Sequence, residues 1–185
     1  APARLPAYAL YGEGSAAALP DHVHCESIAE RSRLHDWEIR PHQHEALAQV
    51  LWLDSGRAEA WLDGRQVPLQ GPALVCVPAL TAHGFRFAPP VQGWVFTLPQ
   101  SRLESVLERH PGLAGALLRP QAGALPAGDP MVAAVAAAAR QLHDEALADA
   151  PWRGAAVDAA LLALAVAVAR RQAAVAPARA PAARH

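Results

Sequence analysis

PHQHEALAQVLWLDSG, residues 41–56, is the stretch from which the architecture follows. His42 and His44 stand two apart, and on a strand that spacing puts both imidazoles on one face. Gln49 comes five positions later, inside a run, LAQVLWLD (47–54), that itself reads as a strand. Asp54-Ser55-Gly56 then reads as a turn. Further on, GPALVCVPALTAH (71–83) delivers a third histidine, His83. Three imidazoles and one amide oxygen that converge inside a barrel are able to coordinate a divalent metal. The same residues serve as polar groups lining a ligand pocket, or as structural core histidines. Residue type alone leaves all three open.

The β pattern extends on both sides of this stretch. VHCESI (23–28), HDWEIR (35–40), AEAWLD (58–63), ALVCVP (73–78), HGFRF (83–87) and GWVFTL (93–98) alternate or run apolar. Turn residues separate them: Asp63-Gly64, Gly71-Pro72 and Ala88-Pro89-Pro90. Asp63-Gly64 is a strong hairpin signal because both residues tolerate positive φ. Seven short strands at close spacing indicate a sandwich or barrel. Beyond Pro99 the period turns helical, so the fold class is mainly β with α. Ser101-x-x-Glu104 reads as a capping box opening a helix to about His110. Asp129-Pro130 reads as an N-cap with Pro in the first turn of a helix to about Ala148. A third helix is expected from about Gly154 to Gln172. The tail VAPARAPAARH (175–185) reads as a linker.

The two histidine segments resemble the paired motifs of the cupin family. His42, His44, Gln49 and Gly56 match the first motif, and Gly71, Pro78 and His83 match the second. Leu80 stands where the second motif usually has another Gly, and Phe87 where it often has Asn. Gln49 stands where metal-binding enzymes most often carry Glu, and an amide is a weaker ligand than a carboxylate. A cupin followed by helices and a linker resembles the N-terminal half of AraC-type transcription regulators. LPAYALYGE, HCESIAERSRLHDWEIRPHQH and GPALVCVPALTAHGFRF resemble, more narrowly, the PobR-like regulators of 4-hydroxybenzoate catabolism. The resemblance implies a jelly-roll-like β-barrel over 1–98 with an N-terminal arm (1–15), a helical dimerisation region over 99–174, and a linker to an absent helix-turn-helix domain. It implies an effector, 4- or 3-hydroxybenzoate, and an N-terminal arm that folds over the pocket, which makes Tyr8 and Tyr11 lid candidates. A simple hydrophobic strap is the other reading of that arm.

Strand parity supplies the remaining site candidates. Arg40 shares parity with His42 and is expected to pair with a carboxylate if it faces inward. Phe85 shares parity with His83, and Trp94 with Phe96, so these are candidates for stacking on an aromatic ring. The expected metal at His42, His44, Gln49 and His83 is zinc, whose lack of redox chemistry suits a sensor. Val157, Leu161, Leu164 and Val168 recur at fours and threes on the third helix, with Leu162, Ala165 and Val166 making it apolar nearly all round. Such a helix needs cover on more than one side. A homodimer partner is the expected cover, and packing on the chain's own barrel is the alternative.

The formal net charge of −1 argues against this segment gripping DNA by itself. Cys25 and Cys76 read as reduced, buried thiols of a cytoplasmic protein. The apolar run 155–169 is short of the roughly 20 residues a membrane span needs, and it contains Asp158. Two functions remain in view. One is an effector-sensing domain that is not an enzyme. The other is a metal-dependent cupin enzyme such as a dioxygenase acting on a small aromatic substrate.

Overall fold

Residues 47–54 and 58–63, expected as two strands, form one strand of 16 residues, Leu47–Leu62. The expected strands 83–87 and 93–98 likewise join into His83–Pro99. Each continues through its turn-like residues as a bulge. Register shifts at Ser55, and Gly56 takes φ +97°. Opposite lies Pro89-Pro90, and a Cβ on Gly56 would stand 2.6 Å from the Pro90 carbonyl oxygen. The two long strands thus bend together without breaking, and each serves both halves of the barrel.

This computed structural model describes residues 23–126 and 128–175. The elements in order are β1 (His24–Ser27), α1 (Ile28–Arg33), β2 (Glu38–His42), β3 (Leu47–Leu62), β4 (Arg65–Gln70), β5 (Ala73–Val77), β6 (His83–Pro99), α2 (Gln100–Leu107), a 3-10 turn (Pro111–Leu113), α3 (Ala114–Leu117), β7 (Gln121–Ala124), α4 (Pro130–Leu147) and α5 (Arg153–Val175). All sheet pairings are antiparallel. The order is β1-β6-β3-β5-β7, with β2 also on β6 and β4 also on β3. The fold is a β-barrel followed by C-terminal helices, as expected. The arm, with Tyr8 and Tyr11, and the tail from residue 176 lie outside the described residues.

Two cores result from the alternation of β3 and its neighbours. Leu51, Leu53, Phe85 and Phe87 fill the barrel interior. Val50, Trp52, Phe96 and Leu98 point the other way and pack with α2 to α5. Asp63-Gly64 forms its hairpin, with φ of 46° and 79°. Asp129 caps α4 as expected, accepting from Met131 N at 2.8 Å. The capping box at Ser101 does not form: α2 starts at Gln100 after Pro99, has no side-chain cap, and ends at Leu107. Gln100 instead ties the helix to the barrel by accepting from Ala79 N at 2.7 Å. Five short elements were not expected: α1, β4, the 3-10 turn, α3 and the edge strand β7. No helix among the described residues is long and apolar enough to cross a membrane.

The burial of α5 corrects its expected role. Val157, Leu161, Leu164 and Val168 are 0–4% exposed within the single chain. They pack against the sheet, α3 and α4. The cover that an all-round apolar helix needs is supplied by the chain's own helices, so these four residues offer no surface to a partner. The outward side of α5 carries half-buried Leu162 and Val166 and exposed Ala159.

Gly56→Ala is expected to destabilise the fold by on the order of 1–3 kcal/mol, because a Cβ here adds backbone strain to a close contact. Thermal denaturation reads this as a fall of about 2–4 °C per kcal/mol for a domain of this size. Gly64→Asn is the control: it too has positive φ, at +79°, but open space around it. Equal losses in both variants would show that the Gly56–Pro90 approach does not matter.

Candidate functional site

The three histidines meet at one end of the barrel interior. His42 ends β2 and pairs in register with His83, which begins β6. His44 follows in the connection to β3. Ring centroids lie 4.3 Å (His42–His83), 4.9 Å (His42–His44) and 5.3 Å (His44–His83) apart. One potential ligand nitrogen from each falls within 4.8 Å of the others, and all three residues are buried.

Backbone carbonyls set the tautomers. His42 Nδ1 is 2.9 Å from the Arg40 carbonyl oxygen, and His83 Nδ1 is 2.9 Å from that of Thr81. An imidazole that donates through Nδ1 keeps its lone pair on Nε2, the arrangement that orients a metal ligand. His83 Nε2 is buried and makes no hydrogen bond among the described residues. Burial lowers the His42 pKa to about 4, and the neighbouring His44 and Arg31 also push it down against the Arg40 carbonyl. Burial, then the His42 charge, lowers that of His83 to about 3. Both rings are therefore neutral near pH 7, as a metal ligand must be. The donor set fits a divalent cation, with zinc suited by three imidazoles. His42, His44 and His83 would hold it, and it would supply Lewis-acid polarisation of a bound oxygen. Gln49, on the same cavity wall, donates its Nε2 to Thr97 Oγ1 at 3.1 Å, which leaves the amide oxygen as the end for a cation.

The depressed histidine pKa values carry a sign for stability. In the unfolded chain these imidazoles take up protons near pH 6.5, whereas in the fold they stay neutral down to about 4 and about 3. Metal-stripped protein should therefore lose stability progressively as pH falls from about 6.5 towards 4. Denaturant melts across that window test it, and a flat profile contradicts it.

From the histidines the cavity runs to a wall formed by α1. Ile28, Arg31 and Ser32 line it from α1, Ile39 from β2, and Phe85 and Phe87 from β6. The two phenyl rings stack at 5.7 Å, and His83 meets Phe85 edge-on at 6.1 Å. Arg31 forms an ion pair with Glu26. The space there is only about 20 Å³, room for about one water.

Several expected site residues lie elsewhere. Arg40 is exposed, because β2 carries one extra residue between Ile39 and His42. That bulge breaks the parity and sends Ile39 and His42 inward together. The guanidinium at the cavity is that of Arg31, on a short helix whose polar sequence gave no sign of an inward face. Trp94 and Phe96 face the helical layer, in register with Trp52 and Val50. Trp94 stacks on His143 at 4.4 Å, with Arg140 over the ring at 5.9 Å. Their neighbours Val95 and Thr97 face inward. Cys25 and Cys76 are free thiols, and burial pushes both up to about 12.

The AraC-like ligand binding domain family matches residues 24–165. Among solved structures, the AraC-like transcriptional activator CuxR is 15% identical over 74% of this chain and 46% of its own, with a TM-score of 0.45. KdgF from Halomonas sp. is 27% identical over 32% of this chain and 55% of its own, at 0.30. Salicylate 1,2-dioxygenase from Pseudoaminobacter salicylatoxidans is 14% identical over 38% and 20%, at 0.31. The chain spans about half the length of KdgF and of CuxR. No curated protein matches it.

Proposed function

The chain belongs to the family of AraC-like ligand binding domains, and we propose that it is the effector-sensing part of a bacterial transcription regulator whose barrel takes a hydroxybenzoate-like aromatic acid. The observation that carries this reading is the meeting, at one cavity, of Arg31, the stacked Phe85–Phe87 pair, and polar His42 and Gln49. A guanidinium suits a carboxylate, phenyl faces suit a ring, and an imidazole or amide suits a phenolic hydroxyl.

With room for about one water, the barrel admits such a ligand only when α1 moves outward. The chain after α1 is strained: Asp36 and Trp37 sit consecutively at φ 52° and 63°. Left-handed non-glycine residues cost of order 1–3 kcal/mol each, so an opening that lets both leave the left-handed region would recover that cost. A ligand that binds only the open arrangement shifts the population towards it. In this reading zinc holds the histidine end of the barrel, a homodimer forms through the outward side of α5 at Leu162 and Val166, and DNA is contacted by a domain outside this chain.

A thermal-shift panel of substituted benzoates tests the effector class. 4- and 3-hydroxybenzoate should stabilise the protein, by about 2.7 kcal/mol at 100 times the dissociation constant. Arg31→Gln should weaken that binding about tenfold to a hundredfold, the worth of a charge-assisted hydrogen bond. Stabilisation by an unrelated sugar or lipid, with none from any benzoate, overturns the assignment. The three-histidine cluster also favours a second reading, a metal-dependent cupin enzyme acting on a small aromatic substrate. Iron in the purified protein together with turnover of a hydroxybenzoate would establish that reading instead.

A further inference from the structure

A roomier site lies outside the barrel. Between β7, the start of α4 and the end of α5 is a cavity of about 180 Å³, against about 20 Å³ at the histidines. An apolar cavity of about 150 Å³ is large enough to bind benzene, so this one accommodates a single-ring molecule. Its walls are Leu74, Leu125, Val135 and Val168, all buried. One polar end interrupts them. Arg171 reaches it with a side chain 18% exposed, and pairs with Asp129 Oδ2 at 3.3 Å through Nε. That nitrogen is buried and has no hydrogen-bond partner. Nor does the rest of the guanidinium make a hydrogen bond among the described residues. Beside it, Gln172 Nε2 donates to Gln121 Oε1 at 2.9 Å, and Gln121 in turn donates to the Ala116 carbonyl.

Arg171 Nε is thus a buried donor at the edge of the cavity that lacks a hydrogen bond, and an acceptor placed in the cavity would satisfy it. Asp129 is already committed: its other oxygen caps α4. A lone water would satisfy the guanidinium but not the apolar walls. A molecule with an acceptor pair at one end and an apolar ring at the other satisfies both. We propose that this cavity is a second small-molecule site, taking a single-ring monocarboxylate through Arg171. The ligand there bridges β7 to α4 and α5 and so stiffens the helical layer against the sheet. This proposal does not rest on the barrel's occupant.

Calorimetric titration of the whole chain with benzoate, and with neutral benzamide, tests it. Benzoate should bind this site at least tenfold more tightly than benzamide, and Arg171→Gln should erase that preference here while leaving any barrel site unchanged. Because losing Arg171 also frees Asp129, a second variant guards against misfolding. A Cβ on Gly123 meets nothing within 4 Å, so Gly123→Ile should fill the cavity, preserve the fold and abolish binding at this site. Arg31→Gln and Phe87→Ala separate the barrel. If benzoate binding survives both cavity variants and is lost only in the barrel variants, the inference falls and the barrel reading stands. Loss only in the cavity variants supports the inference and removes the barrel as the benzoate site. Absence of benzoate binding in the unaltered chain also overturns it.

Discussion

A chain carrying Leu161→Asp and Leu164→Asp together should fail to fold rather than become a folded monomer. Both leucines are fully buried in the single chain, in a cluster that joins α5 to the sheet and to α4. Emptying one such site by Leu→Ala costs about 2–5 kcal/mol. Aspartate adds the cost of a polar group with no partner, or of protonating it to keep it neutral. Two such sites together cost about as much as the total stability of about 5–15 kcal/mol available to a domain. Circular dichroism and light scattering decide the matter, the expected product being unfolded or aggregated. Leu162→Asp with Val166→Asp should behave differently. These two residues are half-buried on the outward side, so the fold survives, and any homodimer using that side dissociates. A folded monomer from the Leu161/Leu164 pair would return the dimer interface to those residues.

The second large effect concerns metal. His42→Ala with His83→Ala should abolish zinc retention in protein purified without added metal. Changing a residue that merely orients a ligand already costs about 10–100-fold in affinity, and this pair removes two of three imidazoles. The fold should persist above pH 7, since neither ring is charged there. Elemental analysis and thermal denaturation on the same sample give the result. Undiminished zinc would place the ion elsewhere. A zinc-free, ligand-binding parent protein would leave the histidines as pocket lining alone.

What the sequence revealed, and what it hid, divides along physical lines. The His42-x-His44 pair, Asp63-Gly64 and Asp129-Pro130 were legible because each acts within a few residues. Strand facing was not. Trp94 and Phe96 alternate with Val95 and Thr97 in a strand buried on both faces, so composition does not say which side is inside. Arg40 was misplaced by one extra residue in β2, and a bulge leaves no mark in hydrophobic periodicity. α1 hid because six polar-rich residues make no amphipathic pattern long enough to read. The apolar girdle of α5 correctly signalled cover on several sides. It could not say whether that cover came from a partner or from α3 and α4 of the same chain. Gly56 was read as a turn residue, and its positive φ agrees, but the requirement comes from Pro90, 34 positions away in sequence.

A crystal structure of the protein with 4-hydroxybenzoate bound tests the sensing account most directly. The account predicts the ring against Phe85 and Phe87, its carboxylate on Arg31, and α1 displaced outward from the position it holds over the closed barrel. A barrel that stays closed at about 20 Å³, with the acid bound only elsewhere on the molecule, would contradict it.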